Sequence, residues 1–231
     1  MKVGIIGAGN IGSALARRLT ASGHEVSIAN SRGPETLHDL AAETGAHAVP
    51  ATEAAKDADI VIVTIPLRNI PDLPAGVLDG AAAGAAYVDT GNYYPRQRDG
   101  RIEAIEAGTP ESLWVERQLG RPMVKAFNNI VALHLRDLGK PAGTPGRIAL
   151  PVAGDDAAAV AKVSALIDEL GFDVVHAGGL DQSWRQQPGS PVYLADLDAD
   201  GVRKALAAAG NERPEEFRAT ASSPGTYADP A

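Results

Sequence analysis

The sequence predicts an α/β protein with a doubly wound, mostly parallel sheet and a smaller C-terminal portion. Apolar strands alternate with amphipathic helices from residue 2 to residue 175, the order of elements typical of such folds. The predicted strand at residues 59–65 is apolar through its centre, as expected where helices cover both faces of a sheet. A glycine-rich turn follows the first strand and opens the first helix. We therefore expect ligands to bind in a crevice at the carboxyl ends of the strands.

Each element follows from its pattern of apolar residues. Apolar runs predict strands at residues 2–6, 25–29, 59–65, 86–89, 123–127, 147–152 and 172–175. Apolar residues at three- and four-residue spacing predict helices at residues 11–19, 111–119, 130–138, 156–170 and 198–209. A further helix is expected after Gly33, because Pro34 and Glu35 suit its first turn. Gly23 and Gly171 are placed to end the helices that precede them.

Composition excludes several classes of function. The chain has 231 residues, a formal net charge of −8 and no cysteine. An acidic surface repels phosphate backbones, so we expect no nucleic-acid binding. The absence of cysteine excludes disulfides, iron–sulfur clusters and thiolate metal sites, and the five histidines lack metal-ligand spacing, so no metal is expected. A redox function would therefore need a bound cofactor to carry the electrons.

The sequence also bears on location. The best apolar run, at residues 60–67, has the length of a strand rather than of a membrane-spanning helix. The stretch before the first glycines is too short for a signal peptide. We therefore expect a cytoplasmic protein with no membrane partner.

The turn after the first strand carries a nucleotide-binding pattern. Its six residues match G-x-G-x-x-G: Gly7, Ala8, Gly9, Asn10, Ile11 and Gly12. In this pattern Gly7 allows the tight turn, Gly9 lets a pyrophosphate approach the backbone, and Gly12 lets the helix pack close to the strand. The pattern lies between a strand and an amphipathic helix and is followed by a second strand, which is the context that dinucleotide binding requires. The alternative is a tight strand–helix turn that binds nothing.

The end of the second strand predicts NADP rather than NAD. NAD sites usually place an Asp or Glu about 20 residues beyond the glycines, where it holds the ribose 2′-hydroxyl. This chain has Asn30, Ser31 and Arg32 there, and a hydroxyl and a guanidinium bind a 2′-phosphate. The nearest acid, Glu35, is better explained by the first turn of the next helix. Alternatively, Arg32 is a solvated surface arginine.

Several stretches together resemble a known family. They are GIIGAGNIG at 4–12, NSR at 30–32, VTIP at 63–66, VKAFNN at 124–129 and PVAGDD at 151–156. The sequence resembles the coenzyme F420-dependent NADP oxidoreductases from residue 1 to about residue 179. It is also similar to the cytosolic NADPH-binding domain of the six-transmembrane metalloreductases.

This resemblance implies a Rossmann domain, assigned to residues 1–126, and a C-terminal portion, residues 127–231, that closes a cleft over the nicotinamide. It implies hydride exchange between NADPH and a flat tricyclic acceptor, which is a deazaflavin (coenzyme F420) or a flavin (FMN or FAD). By matching positions, the adenosine and phosphate end would be held by Ala8, Gly9, Asn10, Ile11, Ser31 and Arg32. Thr64, Ile65 and Pro66 would line the middle of the cofactor, and Asn128 would lie near the nicotinamide.

Three further sites carry candidate chemistry. Asn92 and Tyr93 follow a strand, so they border the nicotinamide or the acceptor, or else form an ordinary turn with packed tyrosines. Lys125 is a candidate proton donor next to Asn128, although a lysine at a strand end that extends to solvent is the favoured interpretation. Trp184 and Arg185 are candidates for an acceptor pocket, because both stack on flat rings; core packing of the indole is the alternative.

Three functions remain open at this point. The first is NADPH-linked hydride transfer to a deazaflavin or flavin, a small-molecule redox acceptor. The second is reduction of a small carbonyl or imine, with Lys125 as proton donor. The third is a protein that binds NADP without catalysis and reports its redox state, because Rossmann folds host unrelated functions.

The polar tail that begins near residue 211 predicts a homodimer. It has few large apolar residues, and ordering costs about 1–2 kcal/mol per residue. We therefore predict that an ordered tail packs on a second subunit.

Overall fold

The computed structural model describes residues 1–221, and within them the sheet has eight strands. In chain order the strands are β1 (Lys2–Ile6), β2 (Glu25–Ala29), β3 (His47–Ala48), β4 (Ile60–Val63), β5 (Ala86–Asp89), β6 (Met123–Lys125), β7 (Ala149–Ala153) and β8 (Asp173–Gly178). Their order across the sheet is β3-β2-β1-β4-β5-β6-β7-β8. Neighbouring strands are parallel except β6 and β7, so the predicted doubly wound α/β fold is confirmed.

Seven α-helices lie in the described part of the chain. They are α1 (Asn10–Ala21), α2 (His38–Thr44), α3 (Glu103–Glu106), α4 (Glu111–Leu119), α5 (Ala132–Asp137), α6 (Ala157–Glu169) and α7 (Ala199–Ala208). Local chemistry explains where α6 begins, because the Asp156 carboxylate accepts the backbone N–H of Ala158 and Ala159 at 2.9 and 3.1 Å. None of these helices is long and apolar enough to cross a membrane.

Two apolar layers cover the two faces of the sheet. Side chains alternate along a strand, so Ile5 and Ile6 of β1 belong to different buried clusters. The Ile5 cluster includes side chains of α1, α5 and α6, whereas the Ile6 cluster includes Trp114 and Val115 of α4. Helices therefore pack on both faces, which leaves the ends of the strands as the place for a crevice.

The strand order places that crevice. β1 lies between β2 and β4, so the order of connections reverses between β1 and β4. One row of register partners runs across this region: Ile6, Val63, Asp89 and Lys125. The residues after this row belong to the glycine turn, the stretch at 64–66, the turn after β5 and the stretch at 126–129. Four segments that are far apart in the chain therefore meet at one edge.

The C-terminal portion extends the same sheet. β7 runs antiparallel to β6 and meets it at one register pair, Lys125 opposite Ala153, and β8 pairs with β7 in parallel. The predicted boundary between residues 126 and 127 lies at this reversal of direction. β6 ends at Lys125 rather than at the predicted residue 127, because Phe127 adopts a positive φ of 61° that turns the chain.

The described part of the tail packs on its own chain. Arg96 donates hydrogen bonds to the carbonyls of Thr220 and Ala221, and the N–H of Ala219 donates to Glu106 at 2.9 Å. Ala219 is buried. Residues 219–221 therefore have contacts within their own chain. Residues 222–231 lie outside the described part, and the homodimer stays a prediction.

We predict that Phe172→Ala lowers the free energy of unfolding by about 3–5 kcal/mol, because it deletes a buried ring from a packed core. Phe172 has no exposed surface and belongs to the cluster of α1, α5 and α6. Leu133→Ala is the control, since Leu133 is 53% exposed. Urea unfolding of both variants measures the effect, and equal midpoints would contradict this account of the core.

Candidate functional site

The fold itself requires two of the three motif glycines. Gly7 has a φ of 119°, and a Cβ built on it would lie 2.2 Å from the Thr64 carbonyl oxygen. A Cβ on Gly12 would lie 1.9 Å from the carbonyl oxygen of Gly7. These clashes involve backbone atoms that cannot move aside. Gly7 and Gly12 therefore allow β1, α1 and the end of β4 to pack closely, as the sequence predicted.

Gly9 differs, because the chain's own packing does not require a glycine there. Its φ is −75°, and apart from its two chain neighbours no described residue has an atom within 4 Å of a Cβ built on it. Gly9 caps the N-terminus of α1, whose first turn holds no acidic residue. The first N–H groups of a helix lack partners within the helix and attract anions. Open space at this position therefore fits a pyrophosphate that approaches the backbone.

The turn after β2 presents two polar side chains beside the glycine loop. Asn30 Oδ1 accepts the N–H of Arg32 at 2.9 Å, and Asn30 Nδ2 donates to Thr36 Oγ1 at 2.8 Å. These bonds hold a tight turn of the kind that asparagine favours. Ser31 and Arg32 are exposed, and neither side chain has a hydrogen-bond or ion-pair partner among residues 1–221. Both are therefore available to a phosphate.

A cavity of about 400 Å³ follows the carboxyl ends of β1, β4, β5 and β6. It is lined by most of the residues predicted to hold the cofactor: Gly9, Asn10, Ile11, Thr64, Ile65, Pro66, Asn92 and Asn128. We call this cavity the cofactor cleft. The structure thus brings together four separate segments that the sequence singled out.

Asn92 and Asn128 form a rigid wall of the cofactor cleft. Asn92 Nδ2 donates to the Asn128 carbonyl at 2.8 Å, and Asn128 Nδ2 donates to Asn92 Oδ1 at 3.0 Å. Asn128 also donates to the Gln186 carbonyl and accepts from Gln186 Nε2, at 2.6 and 3.0 Å. The Arg98 guanidinium donates to the Asn92 carbonyl at 2.5 Å. Hydrogen bonds from three parts of the chain therefore fix both amides.

Lys125 does not extend to solvent, so the favoured interpretation of this residue is wrong. Its side chain has no exposed surface, and Nζ donates to the Gly91 carbonyl and to Ser112 Oγ at 3.0 Å each. The carboxylates of Glu111 and Asp89 lie 3.6 and 3.9 Å from Nζ. These internal partners replace solvent. Lys125 lies beneath the cofactor cleft rather than in it, which also removes it as a proton donor to a substrate.

Tyr94 lines the cofactor cleft, whereas the sequence analysis predicted its neighbour Tyr93. Tyr93 is fully buried, its hydroxyl accepts the N–H of Ile102 at 3.0 Å, and burial raises its pKa. Tyr94 lines the cofactor cleft instead. Neighbouring residues of an extended segment point in opposite directions, so only one of the pair faces the ligand.

Tyr94 meets a second tyrosine in the cleft. Its hydroxyl hydrogen-bonds that of Tyr193, and the Arg98 guanidinium lies 5.0 Å from the centre of the Tyr94 ring. Burial raises the pKa of both tyrosines, so both hydroxyls stay protonated at neutral pH. Tyr193 lies in no motif that the sequence analysis used, and only the fold reveals it.

Trp184 and Arg185 lie outside the cofactor cleft, which corrects their assignment to an acceptor pocket. Trp184 lines a separate cavity of about 820 Å³, bordered by residues 105–110 and 210–214. Arg185 packs over the Trp184 ring, with its guanidinium carbon 5.4 Å from the ring centre. The two side chains therefore stack on each other rather than on a ring in the cleft.

Comparisons with known proteins identify the family of the chain. Residues 2–93 match the family model described as "NADP oxidoreductase coenzyme F420-dependent". A solved structure of the hypothetical protein SMa0349 from Sinorhizobium meliloti is 33% identical, with a TM-score of 0.71 over 85% of this chain and 94% of that one. The chain therefore belongs to the family of coenzyme F420-dependent NADP oxidoreductases.

Two further proteins are similar to this chain. A candidate F420-dependent NADP reductase from Arthrobacter sp. FB24 is 27% identical, with a TM-score of 0.66 over 79% of this chain and 87% of that one. The 3-sulfolactaldehyde reductase of Escherichia coli K12 is 24% identical over 181 residues, which are 77% of this chain and 54% of that protein. The chain spans about half the length of the curated relatives it matches.

We predict that Gly9→Ala separates binding from folding. The variant should lose at most about 1 kcal/mol of stability, the scale of a changed helix cap. Its affinity for NADP⁺ should fall about tenfold or more, since a methyl group enters the space for the pyrophosphate. Thermal unfolding and calorimetric titration measure the two quantities. Gly12→Ala is the contrasting variant and should unfold at a lower temperature. Unchanged NADP⁺ affinity in folded Gly9→Ala would refute the assignment.

Proposed function

We propose that the protein transfers hydride between NADP(H) and a flat ring acceptor of the deazaflavin or flavin class, such as coenzyme F420, FMN or FAD. The observation that carries this proposal is the lining of the cofactor cleft beyond the paired asparagines. Tyr94, Tyr193 and Leu194 line that part, and within residues 1–221 no carboxylate, lysine or histidine lines the cleft. Such a wall suits chemistry that the cofactors carry, with the protein supplying alignment.

The residues of the NADP(H) half fit the parts of the cofactor. Gly9 and the N-terminus of α1 would hold the pyrophosphate, and Ser31 and Arg32 the 2′-phosphate. The stretch at 64–66 would follow the middle of the cofactor. The second hydrogen of Asn92 Nδ2 and one remaining lone pair on each amide oxygen of Asn92 and Asn128 are left for the nicotinamide carboxamide.

The acceptor half would act by stacking and by excluding water. When bound, NADPH supplies a hydride, which carries two electrons, and the acceptor ring takes this hydride together with one proton from solvent. The Tyr94 ring offers a face for stacking, and its geometry is held by Arg98 and by Phe217, whose ring centre lies 6.2 Å away. Tyr94 and Tyr193 share one hydrogen bond, so one hydroxyl of the pair keeps its proton free to donate to a carbonyl of the acceptor ring.

A second candidate function follows from the same hydroxyl pair. A small carbonyl or imine substrate needs a proton donor near its reacting atom, and the hydroxyl of the Tyr94–Tyr193 pair that keeps its proton free is such a donor in the cleft. The similarity to 3-sulfolactaldehyde reductase supports this alternative. Lys125 cannot serve it, because its ammonium group is sealed beneath the floor of the cleft.

We predict that NADP(H) binds about tenfold to more than a hundredfold better than NAD(H), since hydrogen bonds to charged groups contribute about 1.5–3 kcal/mol. Arg32→Asp should abolish or reverse this preference, because a carboxylate repels the 2′-phosphate. Calorimetric titration of both cofactors measures it. Arg203→Asp is the control, as Arg203 is an exposed arginine of α7. Equal affinities of the unmodified protein for NADP(H) and NAD(H) would contradict the assignment of Ser31 and Arg32 to the 2′-phosphate.

We predict that the protein oxidises NADPH faster with F420, FMN or FAD as acceptor than with small carbonyls or ferric chelates. The loss of NADPH absorbance measures the rate. Tyr94→Ala should weaken acceptor binding about two- to twelvefold, which corresponds to an aromatic stacking energy of about 0.5–1.5 kcal/mol. Its NADPH affinity should stay near that of the unmodified protein. Tyr94→Phe is the matched control and should retain acceptor binding.

Three outcomes would decide against the ring acceptor. Turnover with small carbonyls alone, together with loss of kcat in Tyr94→Phe, would favour the second candidate function. Tight NADP(H) binding without turnover on any of these acceptors would favour a redox sensor. Equal loss of NADPH and acceptor binding in Tyr94→Ala would show that Tyr94 does not distinguish the two ligands.

A further inference from the structure

Four charged side chains meet beneath the floor of the cofactor cleft. They come from the end of β5, the start of α4, the end of β6 and the C-terminal segment: Asp89, Glu111, Lys125 and Arg213. The Asp89, Glu111 and Lys125 side chains are at most 2% exposed, and that of Arg213 is 15% exposed. Isolated buried charges are costly, so such groups are normally paired. Here two carboxylates are balanced by one ammonium and one guanidinium.

Two of these charges hold the loop that carries Asn92. The Asp89 carboxylate accepts the N–H of Gly91 at 2.9 Å, and Lys125 Nζ donates to the Gly91 carbonyl at 3.0 Å. Both hydrogen-bonding groups of Gly91 therefore depend on the network. Gly91 lines the cofactor cleft and directly precedes Asn92.

Glu111 competes with Gly91 for Lys125. Glu111 Oε2 accepts no hydrogen bond from the described residues, and it lies 3.6 Å from Lys125 Nζ. Its other oxygen accepts from Arg213 at 2.8 Å. Arg213 is itself held in place, because it donates to Gln187 Oε1 at 2.9 Å and lies 5.3 Å from the centre of the Tyr93 ring. Without Arg213 the ammonium of Lys125 would face two carboxylates alone.

We propose that Arg213 is a positioning residue for the nicotinamide end of the cofactor cleft. Arg213 balances the charge of Glu111, so Lys125 keeps its hydrogen bond to the Gly91 carbonyl. That bond fixes the loop from which Asn92 reaches Asn128. Loss of the guanidinium draws Lys125 towards Glu111 and loosens Asn92. The proposal rests on the NADP(H) site proposed above, and it makes the C-terminal segment a part of that site.

A charge-balance cycle tests this role. Arg213→Gln leaves the buried network with one excess negative charge, Glu111→Gln leaves one excess positive charge, and the double variant is balanced again. The probes are NADP⁺ and 2′,5′-ADP, which has the phosphates of the adenosine end but no nicotinamide. Arg213→Gln should lower the affinity for NADP⁺ about tenfold, which is within the range of coupling between groups in one network. The affinity for 2′,5′-ADP should stay nearly unchanged. The double variant should regain most of the NADP⁺ affinity.

Amide hydrogen exchange gives a readout independent of binding. In Arg213→Gln, exchange should accelerate at residues 91 and 92, and the double variant should reverse this change. Arg203→Gln is the control, since it removes an exposed arginine whose one ion-pair partner among residues 1–221 is Asp200, at the surface of α7. If Arg213→Gln does not fold, comparing Arg213→Lys with the double variant tests the same charge balance, because both should bind NADP⁺ nearly as the unmodified protein does.

The outcomes separate this inference from the proposed function. If the unmodified protein binds neither probe, the NADP(H) site itself is wrong. If it binds both, three results overturn the role of Arg213: equal weakening of NADP⁺ and 2′,5′-ADP, no weakening of either, or a balanced double variant that binds NADP⁺ no better than the unbalanced single variant. The last result would mean that Arg213 acts by packing on Tyr93 rather than by its charge.

Discussion

The buried ammonium group of Lys125 needs partners for its charge, and these partners organise the carboxyl edge of the sheet. Lys125 and Asp89 are register partners on adjacent parallel strands, so the sheet itself brings their side chains together away from water. An ammonium in such a place must find acceptors, and it finds them in the Gly91 backbone, in Ser112 and in two carboxylates. Each acceptor belongs to a segment that borders or supports the cofactor cleft. The shape of the cleft is therefore a consequence of how this charge is paired.

Much of the fold was predictable, because strand and helix periodicities are local properties of the sequence. The bounds of β1, β2, β5 and α4 agree with their predictions to the residue. What could not be predicted depends on distant parts of the chain. An apolar run such as β7 looks the same in either direction, so its antiparallel pairing with β6 left no mark in the sequence. The two-residue strand β3 is too short to carry a period, and the left-handed turn at Phe127 occurs at a residue type that gives no signal of it.

The same division applies to the site. Gly7 and Gly12 were correctly explained because their constraint is steric and lies within one strand–turn–helix unit. Lys125 was misjudged because its partners lie 13 and 34 residues away, and an apolar neighbourhood in the sequence does not show whether a lysine finds internal acceptors. Trp184 was misplaced for a related reason. Its ring type suits a stacking site, but residue type carries no information about which cavity a segment borders.

The two halves of the cleft are consequently built on different physical grounds. Backbone geometry makes the pyrophosphate part of the cofactor half, through the positive φ of Gly7, the N-terminus of α1 and glycines whose Cβ atoms would clash. In the proposed acceptor half, side chains form the wall: Tyr94 and Tyr193 line it, and Phe217 packs against Tyr94. A backbone site tolerates most substitutions around it, whereas a side-chain wall changes with each replacement. Replacing the tyrosines, or the residues that support them, would therefore change the proposed acceptor side of the cleft while leaving the pyrophosphate site intact.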